Sequence, residues 1–144
     1  MNFTRITAAE LGKLIKDPTK KSGTDYLVVD VRDSDYEGGH IPGALNVPSY
    51  EMRDRVDGLA KELSDVPILV FHCALSQVRG PKSARIYSEY VYNVIQSNNK
   101  SFENYAPKLR EQQISVLTGG FSSWYNQFKN DPEMLEDIDH DLWS

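Results

Sequence analysis

Two short runs of apolar residues, Tyr26-Leu-Val-Val-Asp-Val31 and Pro67-Ile-Leu-Val-Phe71, constrain the fold more than anything else in this 144-residue chain. Neither alternates polar with apolar residues. Each therefore reads as a strand covered on both faces, the habit of parallel sheets. Ile114-Ser-Val-Leu117 also reads as a strand, and Ala44-Leu-Asn-Val47 as a short strand candidate. Amphipathic segments separate these runs. Thr7-Ala-Ala-Glu10 forms a capping box ahead of Leu11, Leu14 and Ile15, and that helix is expected to stop before Pro18. Residues 51–63 place Met52, Val56, Leu59, Ala60 and Leu63 on one side of a helix. Pro81 suits the first turn of another, which carries Ala84, Ile86, Tyr87, Tyr90, Val91 and Val94. A weaker helical pattern covers about 103–112, and Ser122–Phe128 reads as a short closing helix. Strands alternating with helices predict an α/β domain, with a central, mostly parallel sheet of about five strands and helices on both faces.

The length suits one domain, assigned to residues 1–130, with an acidic C-terminal tail at 131–144. That tail holds Asp131, Glu133, Glu136, Asp137, Asp139 and Asp141 and no basic residue. Its simplest reading is a solvated segment, but Leu142 and Trp143 are costly to leave bare and predict packing back onto the domain. A net charge of -5 argues against a nucleic-acid partner. No apolar run approaches the roughly 20 residues of a membrane span, so no membrane partner is expected. The start, Met-Asn-Phe-Thr-Arg-Ile, lacks the core of a signal peptide, which predicts a cytoplasmic protein with the nucleus open to it. A single cysteine excludes an internal disulfide and fits a reducing compartment.

That cysteine sits where the second strand ends, in His72-Cys-Ala-Leu-Ser-Gln-Val-Arg-Gly-Pro81. A loop of five residues between Cys73 and Arg79, joining a strand to a helix, can wrap a tetrahedral oxyanion with inward amides from Ala74, Leu75, Ser76, Gln77 and Val78. Cys73 is then the nucleophile, which attacks as thiolate, and Arg79 is the fork that grips two oxygens. A lone cysteine is commonly a core residue, but a core residue needs neither the Arg-Gly-Pro ending nor the strand–loop–helix setting. Gly80 suits a close backbone approach. Ser76 either donates to the sulfur or satisfies its own loop backbone, and the sequence leaves both open. His72 reads as a supporting residue that orients the loop. No carboxylate lies within the loop. A general acid would come from Asp33, Asp35 or Glu37, each of which also reads as a solvated loop charge. Asp30, at the end of a buried strand, reads as a structural partner, with Arg32 at hand. His40 and His140 lack partners at ligand spacing, so no metal is expected.

Two segments together resemble one family. Asp30-Val-Arg32, Asp35-Tyr-Glu-Gly-Gly-His-Ile41 and Gly43-Ala-Leu-Asn-Val47 resemble the signature of rhodanese-like domains, in the form found in cell-division-cycle dual-specificity phosphatases. The Cys73–Arg79 loop is similar to the active site of those phosphatases and of the eukaryotic arsenate reductases related to them. Thr118-Gly-Gly-Phe-Ser-Ser-Trp124 resembles the closing element of the family. The likeness spans about residues 4–128 and is nearest to the small fungal members. It implies a rhodanese-like fold and a cysteine-dependent protein phosphatase acting on phosphotyrosine or with dual specificity. The substrate is then a phosphoprotein or a small oxyanion, and no cofactor is needed. It also implies an alternative, arsenate reduction, for which a chain with one cysteine would need external glutathione and glutaredoxin. The sulfurtransferase loop of the family is one residue shorter, which argues against sulfur transfer. A non-catalytic phosphate-binding module is the remaining reading. Ala74 and Val78 stand where the mitotic phosphatases carry acidic loop residues.

Overall fold

The computed structural model describes residues 3–143. Its centre is a five-stranded, all-parallel sheet in the order β1-β5-β4-β2-β3. The strands are β1 (Thr4–Ile6), β2 (Leu27–Asp30), β3 (Leu45–Asn46), β4 (Ile68–His72) and β5 (Gln113–Leu117). The helices are α1 (Ala8–Lys16), α2 (Met52–Glu62), α3 (Arg79–Gln96), α4 (Ala106–Glu111) and α5 (Gly120–Phe128).

Side chains alternate across the strands, and each set meets its own helical layer. Leu27, Val29, Leu69 and Phe71 pack with Val56 and Leu59 of α2, Ala84, Tyr87 and Val91 of α3 and Leu109 of α4. Val28 and Val70 point the other way, to Leu11 of α1 and to Phe121 and Trp124 of α5. Both faces of the central strands are buried, which is why their sequences are continuously apolar. The capping box closes as expected, with Thr7 accepting from the Glu10 amide and Glu10 from the Thr7 amide. Asp17 ends α1 one residue before Pro18.

β1 has no counterpart in the sequence reading. It is three residues long, lies at the sheet edge beside β5 and is partly exposed, so it offers no apolar pattern. The order of the sheet fixes the position of the site. From β2 the chain moves outward to β3, while β4 lies on the other side of β2 and leads on to β5. The connections diverge between β2 and β4, and open parallel sheets bind ligands beyond the carboxyl ends of such strands. The segments 31–36 and 73–79 both emerge there.

Residues 131–143 run back across the domain. Glu136 and His40 exchange backbone hydrogen bonds of 2.9 and 3.0 Å. Met134 and Leu135 are buried in the α1/α5 layer, and the indole of Trp143 packs on Phe121 and Tyr125 and donates to Gly38 O. Leu142 lies over Gly38 but remains 64% exposed, so Met134 and Leu135 are the buried anchors. Among the described residues, no helix is long and apolar enough to cross a membrane.

Candidate active site

Cys73 leaves β4 buried, at 3% exposure, and its sulfur is the focus of the following turn. The amides of Ser76 and Gly80 donate to Sγ at 3.2 and 3.3 Å. Gly80 comes close because it is glycine: a Cβ there would stand 3.3 Å from His72 Cα. Ser76 is buried, takes a left-handed conformation (φ 53°) and accepts from the Cys73 amide through its hydroxyl at 3.3 Å. Of the two sequence readings of Ser76, the structure shows the loop-backbone one: the hydroxyl takes the Cys73 amide, and the contact of Ser76 with the sulfur is made by its backbone amide.

The carbonyls of the loop are held outward. Cys73 O accepts from Phe121 N and His72 Nδ1, and Ala74 O from Ser122 N. Ser76 O accepts from Arg5 Nη1 at 3.3 Å. In a trans peptide the C=O and the next N–H point in opposite directions. Anchoring these three carbonyls therefore turns the Ala74, Leu75 and Gln77 amides the other way. Among the described residues, the amides of Ala74, Leu75, Gln77 and Val78 have no protein acceptor. Backbone donors left free side by side in one loop are the kind of arrangement that can receive an anion. Leu75 and Val78 carry exposed side chains, and Gln77 is exposed as well.

The first turn of α5 does the anchoring, which gives Gly119-Gly-Phe121 a physical reason. Gly119 and Gly120 have φ of 76° and 59°. A Cβ on Gly120 would fall 2.4 Å from Cys73 O and 2.6 Å from Ala74 O. Arg5 was invisible in the sequence because the strand that carries it was.

Behind the loop lies a buried ionic cluster. Arg32, fully buried, donates to both oxygens of Asp30, with the shortest contact at 2.7 Å. It also donates to Asp35 O and Gly39 O, and stacks over Phe121 at 4.4 Å. The register pairs Asp30 with His72 across β2 and β4. Since Cys73 O can only accept, His72 Nδ1 carries the proton, and Nε2 lies 3.5 Å from Asp30 Oδ2 without a hydrogen bond. Burial lowers the pKa of His72, so the ring is neutral. Asp30 and His72 thus shape the loop from beneath and do not reach its mouth. Glu37 is exposed and forms no ion pair or side-chain hydrogen bond among the described residues, so nothing joins it to the loop.

Arg79 departs from the expected placement. Its guanidinium makes a two-pronged pair with the carboxylate of Asp35, Nη1 to Oδ1 at 3.0 Å and Nη2 to Oδ2 at 2.8 Å. The Arg79 hydrogen bonds hold the Asp35 carboxyl below the usual carboxylate range, and Asp35 in turn raises the pKa of Arg79. Asp35 is therefore no solvated loop charge. Asp33 Oδ2 lies 4.0 Å from the same guanidinium. No cluster of metal-ligating residues occurs among the described residues.

The model of the rhodanese-like domain matches residues 7–127. The chain belongs to the rhodanese-like family. Among family members, it is 36% identical to the dual specificity phosphatase ibp1 of Schizosaccharomyces pombe, over 81% of this chain and 86% of that one. It is 33% identical to arsenate reductase 2.2 of Oryza sativa, over 83% and 79% of the two chains. The rhodanese-like fold is shared with Ygr203w, a yeast protein tyrosine phosphatase of the rhodanese family. That structure superposes with a TM-score of 0.76 at 26% identity, covering 100% of this chain and 99% of that one.

Proposed function

We propose that this chain is a cysteine-dependent protein phosphatase, of tyrosine or dual specificity, working through a phosphocysteine. The observation that carries the reading is the convergence of the Ser76 and Gly80 amides on Cys73 Sγ, at the floor of a loop whose carbonyls are turned outward. Donors fixed in place before reaction suit a sulfur that must carry charge and a phosphoryl group whose oxygens gain it. The Cys73 thiolate attacks phosphorus, the P–S bond forms, and the P–O bond to the leaving oxygen breaks. Water then attacks the phosphocysteine and returns the thiolate with release of phosphate. The loop amides and Arg79 hold the non-bridging oxygens, and the Ser76 and Gly80 amides, which donate to Sγ, stabilise the sulfur as it departs. The exposed apolar side chains of Leu75 and Val78 offer a protein substrate a surface that a free anion does not use. A free cysteine nucleophile suits the reducing cytoplasm, with the nucleus also open.

Arsenate reduction is the second reading, supported by the similarity to a plant arsenate reductase. Cys73 would displace an arsenate oxygen to form a sulfur–arsenic bond. Because the chain has one cysteine, two external thiols supply the electron pair and leave as a disulfide, releasing As(III). Glutathione and glutaredoxin fit that role.

A side-by-side assay tests both. Hydrolysis of p-nitrophenyl phosphate and of a phosphotyrosine peptide is compared with arsenate reduction by glutathione and glutaredoxin, for the native chain and Cys73→Ser. Hydrolysis lost in Cys73→Ser is the expected result. Equal activity in the two proteins removes the nucleophile, and arsenate reduction without hydrolysis puts the second reading first. Thiosulfate-to-cyanide transfer without hydrolysis overturns both.

A further inference from the structure

Resting on the phosphatase reading, we propose that Asp35 is a specificity-determining latch that competes with the oxyanion for Arg79 and weakens binding of free phosphate and arsenate. The end of a guanidinium that carries Nη1 and Nη2 pairs with one planar pair of oxygens. In Arg79 that end is filled by Asp35, at 3.0 and 2.8 Å, in the geometry a phosphate would use. An oxyanion must displace the carboxylate or settle for the remaining donor edge.

The latch is built into the fold and is more than a surface pair that happens to form. The backbone of Asp35 is fixed through its carbonyl, which accepts from the buried Arg32 at 3.0 Å. Its carboxylate is also aimed by the amide of Asp33, which donates to Oδ1 at 2.9 Å. Arg32 itself is held by Asp30, two residues earlier at the end of β2. The two halves of the latch come from the segments that leave β2 and β4 side by side, 44 residues apart in sequence. Asp33, 4.0 Å from the guanidinium, adds a second negative charge at the mouth.

The consequence is selective. A free anion has only the cradle and Arg79 to bind with, so it bears the full cost of breaking the pair. A phosphoprotein brings further contacts, with Leu75 and Val78 at the rim, that offset it. Released phosphate is then driven off as Asp35 recloses on Arg79. With a partly exposed pair of this geometry, the effect on anion affinity is expected to be about three- to tenfold.

The experiment follows alkylation of Cys73 by iodoacetamide, measured by mass spectrometry while arsenate or inorganic phosphate is titrated. The full chain is compared with Asp35→Asn, Asp35→Ala and Glu37→Gln. The readout is the half-protecting anion concentration, which is independent of the intrinsic reactivity of the thiol. Both Asp35 variants are expected to be protected at concentrations about three- to tenfold lower than the native chain. Glu37→Gln, which removes one charge two positions on, is expected to stay within about twofold. Unchanged or weaker protection in the Asp35 variants overturns the latch, as does an equal gain in Glu37→Gln, which would mean only a diffuse field. If neither anion protects Cys73 in any of the proteins, the phosphatase reading itself fails and the latch goes with it.

Discussion

Arg32 is the residue on which the floor of the site depends most. A fully buried guanidinium is tolerable only while Asp30 neutralises it and the Asp35 and Gly39 carbonyls take its remaining donors. Asp30→Asn leaves that charge uncompensated and is expected to cost about 3–5 kcal/mol in urea unfolding, whereas replacing both residues by apolar ones costs less. A loss below about 1 kcal/mol would mean that the ion pair is not desolvated as the structure has it. His72 adds a pH dependence. Unfolded, it binds a proton below about pH 6.5, and folded, burial keeps it neutral to lower pH. Between those two values the unfolded chain holds more protons, so stability rises with pH and falls on acidification. The free energy of urea unfolding is expected to fall as the pH drops below about 6.5, with a slope of up to about 1.4 kcal/mol per pH unit. His72→Asn is expected to flatten that slope, and an unaltered slope would assign it to other groups. Asp35 lies outside this window, because its depressed pKa makes its contribution one that is lost only below about pH 4.

The element that shapes the loop most directly is the start of α5. Its first amides, from Phe121 and Ser122, hold the Cys73 and Ala74 carbonyls at 2.9 and 3.0 Å, and Gly120 is the only residue type that fits against them. Gly120→Ala puts a methyl group where two carbonyl oxygens already stand, at a φ that disfavours any side chain. It is expected to cost about 1–3 kcal/mol and to lower kcat/KM for p-nitrophenyl phosphate at least tenfold, because the cradle amides move with the carbonyls. Wild-type kinetics in that variant would show that the anchoring is dispensable. Much at this scale was legible in the sequence. The continuous apolar runs gave β2 and β4, the capping box gave α1, and the strand–loop–helix setting of Cys73 is present as read. Other features were not, for definite reasons. β1 is too short and too exposed to leave a pattern, and Arg5 was lost with it. The Asp35–Arg79 pair depends on β2 and β4 being neighbours in the sheet, which no local spacing encodes.

At the scale of the molecule, the tail is a structural part of the catalytic domain's surface. Met134 and Leu135 bury their side chains beneath α5, and Trp124 donates from its indole to Met134 O at 2.8 Å. Burial of two such side chains is worth about 3–6 kcal/mol, a large share of the stability of an ordinary domain. Removing residues 131–144 is therefore expected to lower the Tm by about 10 °C or more. It would also expose Trp124 to quenching by acrylamide. The same deletion reaches the active site through one segment. Glu136 holds the His40 amide, Gly38 O accepts from the Asp139 amide and the Trp143 indole, and His40 stacks on Tyr36 at 4.6 Å. Tyr36 adjoins Asp35, so the tail braces the turn that presents the latch. Trp143→Ala removes part of this brace while keeping Met134 and Leu135. It is expected to cost less stability than the deletion. It should still speed hydrogen exchange at the amides of residues 38–40, and shift the half-protecting arsenate concentration toward that of Asp35→Asn. If the deletion leaves Tm within about 3 °C of the full chain, the tail is a surface appendage. If Trp143→Ala speeds exchange at those amides but leaves anion protection unchanged, the brace ends at Tyr36 and the latch is held by Arg32 and the Asp33 amide alone.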